Sequence, residues 1–480
     1  MTDFTLINLN LLYLRYYDSV EKELHVPLGP LYLVKELEEH GFIVDFRDYQ
    51  LNNYNDPFET DNILDFLKDS ADIVGFSCMA NLLPFTILAI KKFKEKYPDK
   101  TVLLGGVGPK AVEKKIIKEF PWIDIIVRGE AENTLPLLLK ALIDKKPIDN
   151  INGLTFYNKE KNTIIKTPDM ERIKDLDSIK FPAFDKVDLK KYEGYGIMSS
   201  RGCPYPCTFC SVAPIWNNKA YSRSCENIIK EMKLLHDEAG VNLFLFQDEF
   251  FVSGKEKLQT FCSQLKKTGL KIMWKAFGRV NLVDEEDMKL MADNGCIELR
   301  FGIESGSDKI LQLIKKGFTS EEAVEIIAKS VKIFPRTDAF FMWGFPFETI
   351  EDFYQSIFQM VSFRMLGARI LPSLLSLLPQ TEIYEKGINK KDLQFCHELI
   401  PEYMITGHEF CHSINVSVPQ KHKSIFEFIS QYPEIFPGFF HIDLENNIYP
   451  KLEILQQFGF YLAKRELQAT DSCGAHSPKM

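Results

Sequence analysis

Three cysteines, Cys203, Cys207 and Cys210, fall inside the run Arg-Gly-Cys-Pro-Tyr-Pro-Cys-Thr-Phe-Cys that spans residues 201–210. At that spacing the thiols have to share one tight loop, and the strand-like Gly196–Ser199 before them sets that loop at the end of a strand. Three thiolates so placed suit a four-iron cluster whose fourth iron stays open to a ligand. A structural zinc site would draw four ligands, usually from two separated pairs. The other seven cysteines are scattered singly, which fits free thiols in a reducing compartment.

A chain of 480 residues is long enough for two or three domains, each with its own core. A formal net charge of −9 argues against sequence-independent nucleic-acid binding, which needs a basic surface. The first residues, Met-Thr-Asp-Phe-Thr-Leu, lack the basic and apolar regions of a leader, and no apolar run is long enough to cross a bilayer. The expectation is a cytoplasmic protein.

Residues 1–145 alternate short apolar runs with amphipathic stretches. Strands are expected at Thr5–Leu9, Ile43–Phe46, Ile73–Ser77, Val102–Leu104 and Ile125–Val127, with helices between them. That pattern predicts a doubly wound, Rossmann-like parallel sheet, whose ligands lie at the carboxyl ends of the strands. Ser77, Gly105, Gly106, Gly129 and Glu130 fall at those ends. Taken alone the glycines read as turns before they read as places where a large flat ligand meets the backbone, and neither a GxGxxG nor a P-loop motif is present.

Residues 146–195 read as a connector with a hairpin formed by Leu154–Tyr157 and Thr163–Lys166. A second strand–helix series fills residues 196–385, with strands at Gly196–Ser199, Leu243–Phe246, Ile272–Ala276, Glu298–Gly302, Thr337–Met342 and Ala368–Leu374. Residues 386–480 have the least regular pattern and are expected to form a small, mainly helical, substrate-related domain. His397, His408, His412 and His422 with Cys396 and Cys411 match no metal-ligand spacing and read as ordinary residues. The aromatic stretch Ile425–His441 fits either a substrate wall or a core.

The cysteine run, with Phe209 before its last cysteine, resembles the cluster motif of the radical SAM (S-adenosylmethionine) enzymes. The stretches Pro27–Leu33, Asp72–Ser77, Leu104–Gly106 and Val127–Glu132 resemble the cobalamin-binding domain fused to many of them. The resemblance covers roughly residues 1–385. It implies an α/β chain with a cobalamin-binding domain, a partial six-stranded barrel, and a four-iron cluster, S-adenosylmethionine and cobalamin as cofactors. In this family an electron from the cluster cleaves S-adenosylmethionine to a 5′-deoxyadenosyl radical. The implied outcome is methylation of an unactivated carbon in a small-molecule or peptide substrate, with flavodoxin or ferredoxin as electron donor. Cyclisation, rearrangement or epimerisation are the alternatives, and a non-enzymatic iron–sulfur redox sensor is a further one.

Carried onto this sequence, the resemblance assigns Cys203, Cys207 and Cys210 to the cluster and Ser77, Gly105, Gly106, Gly129 and Glu130 to cobalamin. Phe209, Asp248, Glu249, Arg279, Glu304 and Ser305 are assigned to S-adenosylmethionine. Asp248 and Glu249 read alternatively as a solvated acidic turn, and Arg279 as a surface ion pair. The Asp-x-His-x-x-Gly pattern of a histidine that ligates cobalt is absent. A transfer-RNA methylthiotransferase would need three further cysteines in residues 1–145, where only Cys78 occurs.

Overall fold

The computed structural model describes residues 2–9, 24–248, 251, 254–401, 404 and 423–460. The first module runs β1 (Phe4–Asn8), α1 (Leu28–Glu39), β2 (Val44–Asp48), α2 (Thr60–Phe66), β3 (Ile73–Ser77), α3 (Leu83–Lys96), β4 (Thr101–Gly105), α4 (Val107–Lys110), α5 (Glu113–Glu119), β5 (Ile125–Val127) and α6 (Ala131–Ile143). Its strands pair in parallel in the order β2-β1-β3-β4-β5. Alternate residues feed opposite cores: Ile7, Val74, Phe76 and Leu104 one face, Phe4, Leu6, Leu103 and Ile125 the other. The order turns back between β1 and β3, and there the crevice for a ligand opens. Register places Asn8, Ser77 and Gly105 side by side at its rim.

The hairpin is not a free connector. Its strands β6 (Leu154–Asn158) and β7 (Thr163–Lys166) continue the first sheet as antiparallel edge strands. Leu154 and Phe156 are apolar and share a core with Leu135 and Leu138 of α6, so the hairpin gains more by packing than by standing apart.

The second module contains β8 (Gly196–Ile197), β9 (Ser200–Arg201), α7 (Val212–Ile215), β10 (Tyr221–Ser222), α8 (Cys225–Ala239), β11 (Leu243–Phe246), α9 (Lys255–Thr268), β12 (Met273–Gly278), α10 (Glu285–Asp293), β13 (Cys296–Glu304), α11 (Asp308–Leu313), α12 (Ser320–Ile333), β14 (Arg336–Trp343), α13 (Ile350–Leu366) and β15 (Arg369–Leu374). Six strands pair in parallel in the order β15-β14-β13-β12-β11-β8, which is the winding of an open barrel. Capping boxes at Asp284, Thr319 and Thr349 start α10, α12 and α13. β9 and β10 form a separate two-stranded ribbon beside the cysteine loop.

The described C-terminal residues form β16 (Leu393–Phe395), α14 (Lys423–Gln431), β17 (Phe440–Ile442) and α15 (Tyr449–Gln457). They build no core of their own. Ile425, Phe426, Phe436 and Phe439 join the core of the first module, while Ile448, Ile454 and Leu455 join that of the second. The aromatic stretch is therefore core: Phe428 and Tyr432 lie against Phe120 with ring centroids 5.6 and 5.1 Å away. Lys451 of α15 forms a buried ion pair with Glu348 at 2.9 Å, which ties this segment to the loop after β14. Residues His408, Cys411, His412 and His422 lie outside the described residues. No described helix is long and apolar enough to cross a membrane.

His441 of β17 is buried, and its Nε2 lies 2.7 Å from the Leu399 carbonyl, which fixes the proton on that nitrogen. Burial pushes its pKa down to about 4. The native state thus favours neutral imidazole, and the stability this provides is present above the ordinary value near 6.5 and lost as pH falls toward 4. From pH 7 to pH 5 the loss is on the order of 2 kcal/mol. Thermal melts over that range should fall for the parent chain and fall less for His441→Gln.

Candidate functional site

The cysteine loop leaves β9 and is held from three directions. Thr208, in its middle, donates its amide to the Ile314 carbonyl at 3.2 Å and accepts from the Ile383 amide at 3.0 Å. Gly202 sits at φ +94, where a Cβ would lie 2.3 Å from the Lys219 carbonyl and 2.9 Å from Trp216, so only glycine fits there. Cys203, Cys207 and Cys210 are all reduced thiols and partly exposed. Among the described residues no three His, Cys, Asp or Glu side chains converge on the position of a single metal ion. A four-iron cube is larger than one ion and takes each thiolate on a different iron, so three reduced, accessible thiols on one pinned loop fit it.

Cationic groups surround that loop. Arg279, at the end of β12, stacks on Tyr205 at 3.8 Å and donates to Cys207 Sγ at 3.7 Å. Its other guanidinium nitrogen bonds the Lys316 carbonyl. The side chain of Lys316 pairs with Glu304 at 2.8 Å and lies 5.7 Å from the Phe209 ring. Glu304 ends β13 after a bulge, with φ +71, a conformation that costs a non-glycine residue about 1–3 kcal/mol. That carboxylate is buried, and its partner Lys316 links it to Phe209 of the cysteine loop. Glu304, Arg279 and Phe209 are thus brought together around the loop.

Asp248 and Ser305 are placed elsewhere. Asp248 is no solvated turn residue: it is buried and accepts from the amides of Ser199 and Ser200 at 2.7 and 3.1 Å. Burial raises its pKa to about 6, against the lowering effect of those bonds. Its work is to fix the backbone that leads into the cysteine loop. The Ser305 hydroxyl is buried, lies 3.0 Å from that of Ser356 and accepts from the Ser307 amide at 3.1 Å, which fastens β13 to α13. Glu249 lies outside the described residues.

At the first sheet, Ser77, Gly105, Gly106 and Gly129 gather at the strand ends. Gly106, at φ +93, lets the loop after β4 meet the backbone of Cys78, where a Cβ would lie 2.4 Å from its carbonyl. Gly129 has φ +77 and open space on the side where a Cβ would project. Close beyond β3, Asn81 is buried with neither its amide nitrogen nor its amide oxygen bonded. Buried polar atoms of that kind signal a missing partner. The strand ends thus combine open space at Gly129 with unmet hydrogen-bonding atoms at Asn81, features that fit a large ligand with a polar rim.

Glu130 is bonded within the chain itself. Its carboxylate accepts from Arg201 at 2.9 Å and from the Ile173 amide at 2.9 Å, while Glu132 accepts from the other arm of Arg201 at 2.6 Å. Arg201 is the residue that opens the cysteine run, so the two modules meet in a buried ion cluster. Burial alone would depress the guanidinium, and Glu132 with Glu130 outweighs it and holds the charge. Arg172 extends the cluster: it lies 3.5 Å from Glu130 and donates to the carbonyls of Arg201, Trp216 and Lys219 at 3.0, 3.1 and 2.7 Å. The sequence pattern did not single out Arg201, Arg172, Glu132 as a tether, Lys316 or Asn81. Only the motifs that contain Arg201 and Glu132 carried a hint.

Arg201→Ala would leave Glu130 and Glu132 buried without their main counter-charge, a loss of about 3–5 kcal/mol for a broken buried pair. Thermal melts of the full chain should drop accordingly, and Arg201→Lys should recover only part, because lysine lacks the fork that reaches both carboxylates.

Residues 197–360 match the family model described as the Radical SAM superfamily, and residues 18–139 match the one described as the B12 binding domain. An uncharacterised methyltransferase of Pyrococcus horikoshii is 31% identical over 333 residues, 68% of this chain and 71% of that protein. An anaerobic magnesium-protoporphyrin IX monomethyl ester cyclase of Cereibacter sphaeroides is 28% identical over 344 residues, 68% of this chain and 54% of the cyclase. The cobalamin-dependent S-adenosylmethionine radical enzyme OxsB, solved with aqua-cobalamin bound, superposes with a TM-score of 0.63 at 20% identity, covering 81% of this chain and 55% of OxsB. The chain thus spans about half the length of the last two proteins, and the likeness to OxsB shows the shared fold.

Proposed function

The chain belongs to the radical SAM enzymes that carry a cobalamin-binding domain, whose cofactors are an iron–sulfur cluster, S-adenosylmethionine and cobalamin, and from that premise we propose that it methylates an unactivated carbon of a small-molecule or peptide substrate. The observation that carries this reading is the Arg201 cluster, which fastens the ligand-bearing edge of the first sheet to the first residues of the cysteine loop. A methyl carrier and a radical source have to serve one substrate, and a rigid joint between their binding edges suits that demand. The similarity to a protein named as a methyltransferase supports the same outcome.

In this reading Cys203, Cys207 and Cys210 hold the cluster. When bound, the cluster supplies an electron that cleaves S-adenosylmethionine, and cobalamin supplies a carrier for its methyl group. Glu304, held by Lys316 beneath one oxygen, offers its carboxylate to the ribose hydroxyls. Arg279 presents a planar cation to the carboxylate of the methionine moiety and at the same time lies against the Cys207 sulfur. Phe209 and Phe345, with ring centroids 6.1 Å apart, form an apolar wall that helps exclude water. Ser77, Gly105, Gly106 and Gly129 form the floor for the corrin, while Asp248, Ser305 and Glu130 position backbone and touch no reacting group. Flavodoxin or ferredoxin is the proposed electron donor.

Ring formation is the second reading, favoured by the similarity to the cyclase. The test uses the full chain reconstituted anaerobically with iron, sulfide and hydroxocobalamin, reduced, and given S-adenosylmethionine labelled in its methyl group. Methyl transfer predicts labelled methyl leaving S-adenosylmethionine, with S-adenosylhomocysteine appearing beside 5′-deoxyadenosine only when cobalamin is loaded. Release of 5′-deoxyadenosine without S-adenosylhomocysteine would instead support ring formation. Cys203→Ala, Cys207→Ala and Cys210→Ala should each lower bound iron from about four per chain and abolish 5′-deoxyadenosine release; retention of both would contradict the cluster assignment.

A further inference from the structure

Asn81 stands in the short turn between β3 and α3, and its side chain is 1% exposed. Neither the amide nitrogen nor the amide oxygen has a hydrogen-bond partner. Leaving a buried polar group unmatched costs about 1–3 kcal/mol, so a carboxamide with both ends unmet is retained for something the chain itself does not supply. The turn is also held rigidly in place. Cys78 donates its amide to the Gly105 carbonyl at 3.1 Å and accepts from the Gly108 amide at 3.1 Å. Gly108 in turn lies so close to Met79 that a Cβ would come within 2.7 Å of its carbonyl. Asn81 is thus fixed beside the switch between β1 and β3, where an open parallel sheet takes its ligand.

The partner's chemistry follows from the unmet atoms. Asn81 offers two N–H donors and one carbonyl acceptor. A primary carboxamide offers the same set, and two carboxamides pair through two mutual N–H···O bonds. The corrin ring of cobalamin carries such primary carboxamides on short arms around its rim. Resting on the reading that cobalamin binds at this crevice, we propose that Asn81 is a corrin-binding residue that pairs with one rim carboxamide and so sets the register of the ring over Ser77 and Gly105. The contact is to the rim, with no bond to cobalt.

The test compares the full, cluster-reconstituted chain with Asn81→Leu, which keeps the size and removes the polar atoms, and with Asn81→Ser run in parallel. Equilibrium dialysis measures binding of hydroxocobalamin and of dicyanocobinamide, which lacks the nucleotide tail but keeps the rim carboxamides. Expected are a ten- to hundredfold weaker dissociation constant for both probes and an unchanged or raised melting temperature without corrinoid, since the unmet group is gone. The absorption bands of the bound corrinoid should stay in place. Unchanged binding in a folded variant would overturn the inference, while cobalamin binding by the parent chain would stand. Loss confined to hydroxocobalamin would place Asn81 on the tail, and shifted bands would place it on cobalt; either overturns the rim contact. A parent chain that binds neither probe would remove the cobalamin reading and this inference with it.

Discussion

Arg201 sits 9% exposed between Glu130 and Glu132, 71 and 69 residues earlier in the chain, and forks to both. Breaking one partner out of such a buried set costs far more than forming it gains, because the remaining charges cannot return to water. The joint is therefore weak evidence for stability but strong evidence for geometry: the first sheet and the cysteine loop have one relative position. Arg172 repeats the principle on the backbone, bonding three carbonyls that flank the loop while facing Glu130. The C-terminal segment closes the arrangement from the other side, since its apolar residues enter both cores. Two modules that fold by separate strand–helix patterns are thereby locked together at the place where their ligand-bearing edges meet.

Around the three thiols the charge balance is equally directed. A cluster held by three thiolates would gather negative charge, and Arg279 lies against the Cys207 sulfur while Lys316 lies against Glu304. Hydrogen bonds and nearby cations are among the means by which a protein tunes such a cluster. The strained backbone at Glu304 lies in the same group, since its left-handed φ falls at the strand end where the carboxylate meets Lys316. Gln380 also occupies left-handed backbone, at φ +66 in the loop after β15.

Much of this was legible in the sequence, for physical reasons that are local. Apolar runs such as Ile73–Ser77 and Leu243–Phe246 announce buried strands, and the spacing of Cys203, Cys207 and Cys210 announces its own loop. What stayed hidden depends on register between distant segments. Asp248 reads as a mouth residue until β8 and β11 pair and bring two amides onto it. Glu130 reads as a ligand contact until Arg201 arrives from the other module. The hairpin reads as a connector until β5 offers Leu154–Asn158 an edge. Asn81 carries no motif, and only its burial without partners makes it visible.

The central claim is that one chain holds a cluster and a corrin at edges joined by Arg201. Electron paramagnetic resonance of the full chain tests it most directly, with the cluster reduced and the corrin present as cob(II)alamin, compared with samples carrying one cofactor each. The account predicts signals broadened by coupling between the two spins in the doubly loaded protein. A doubly loaded spectrum equal to the simple sum of the two single ones would contradict it.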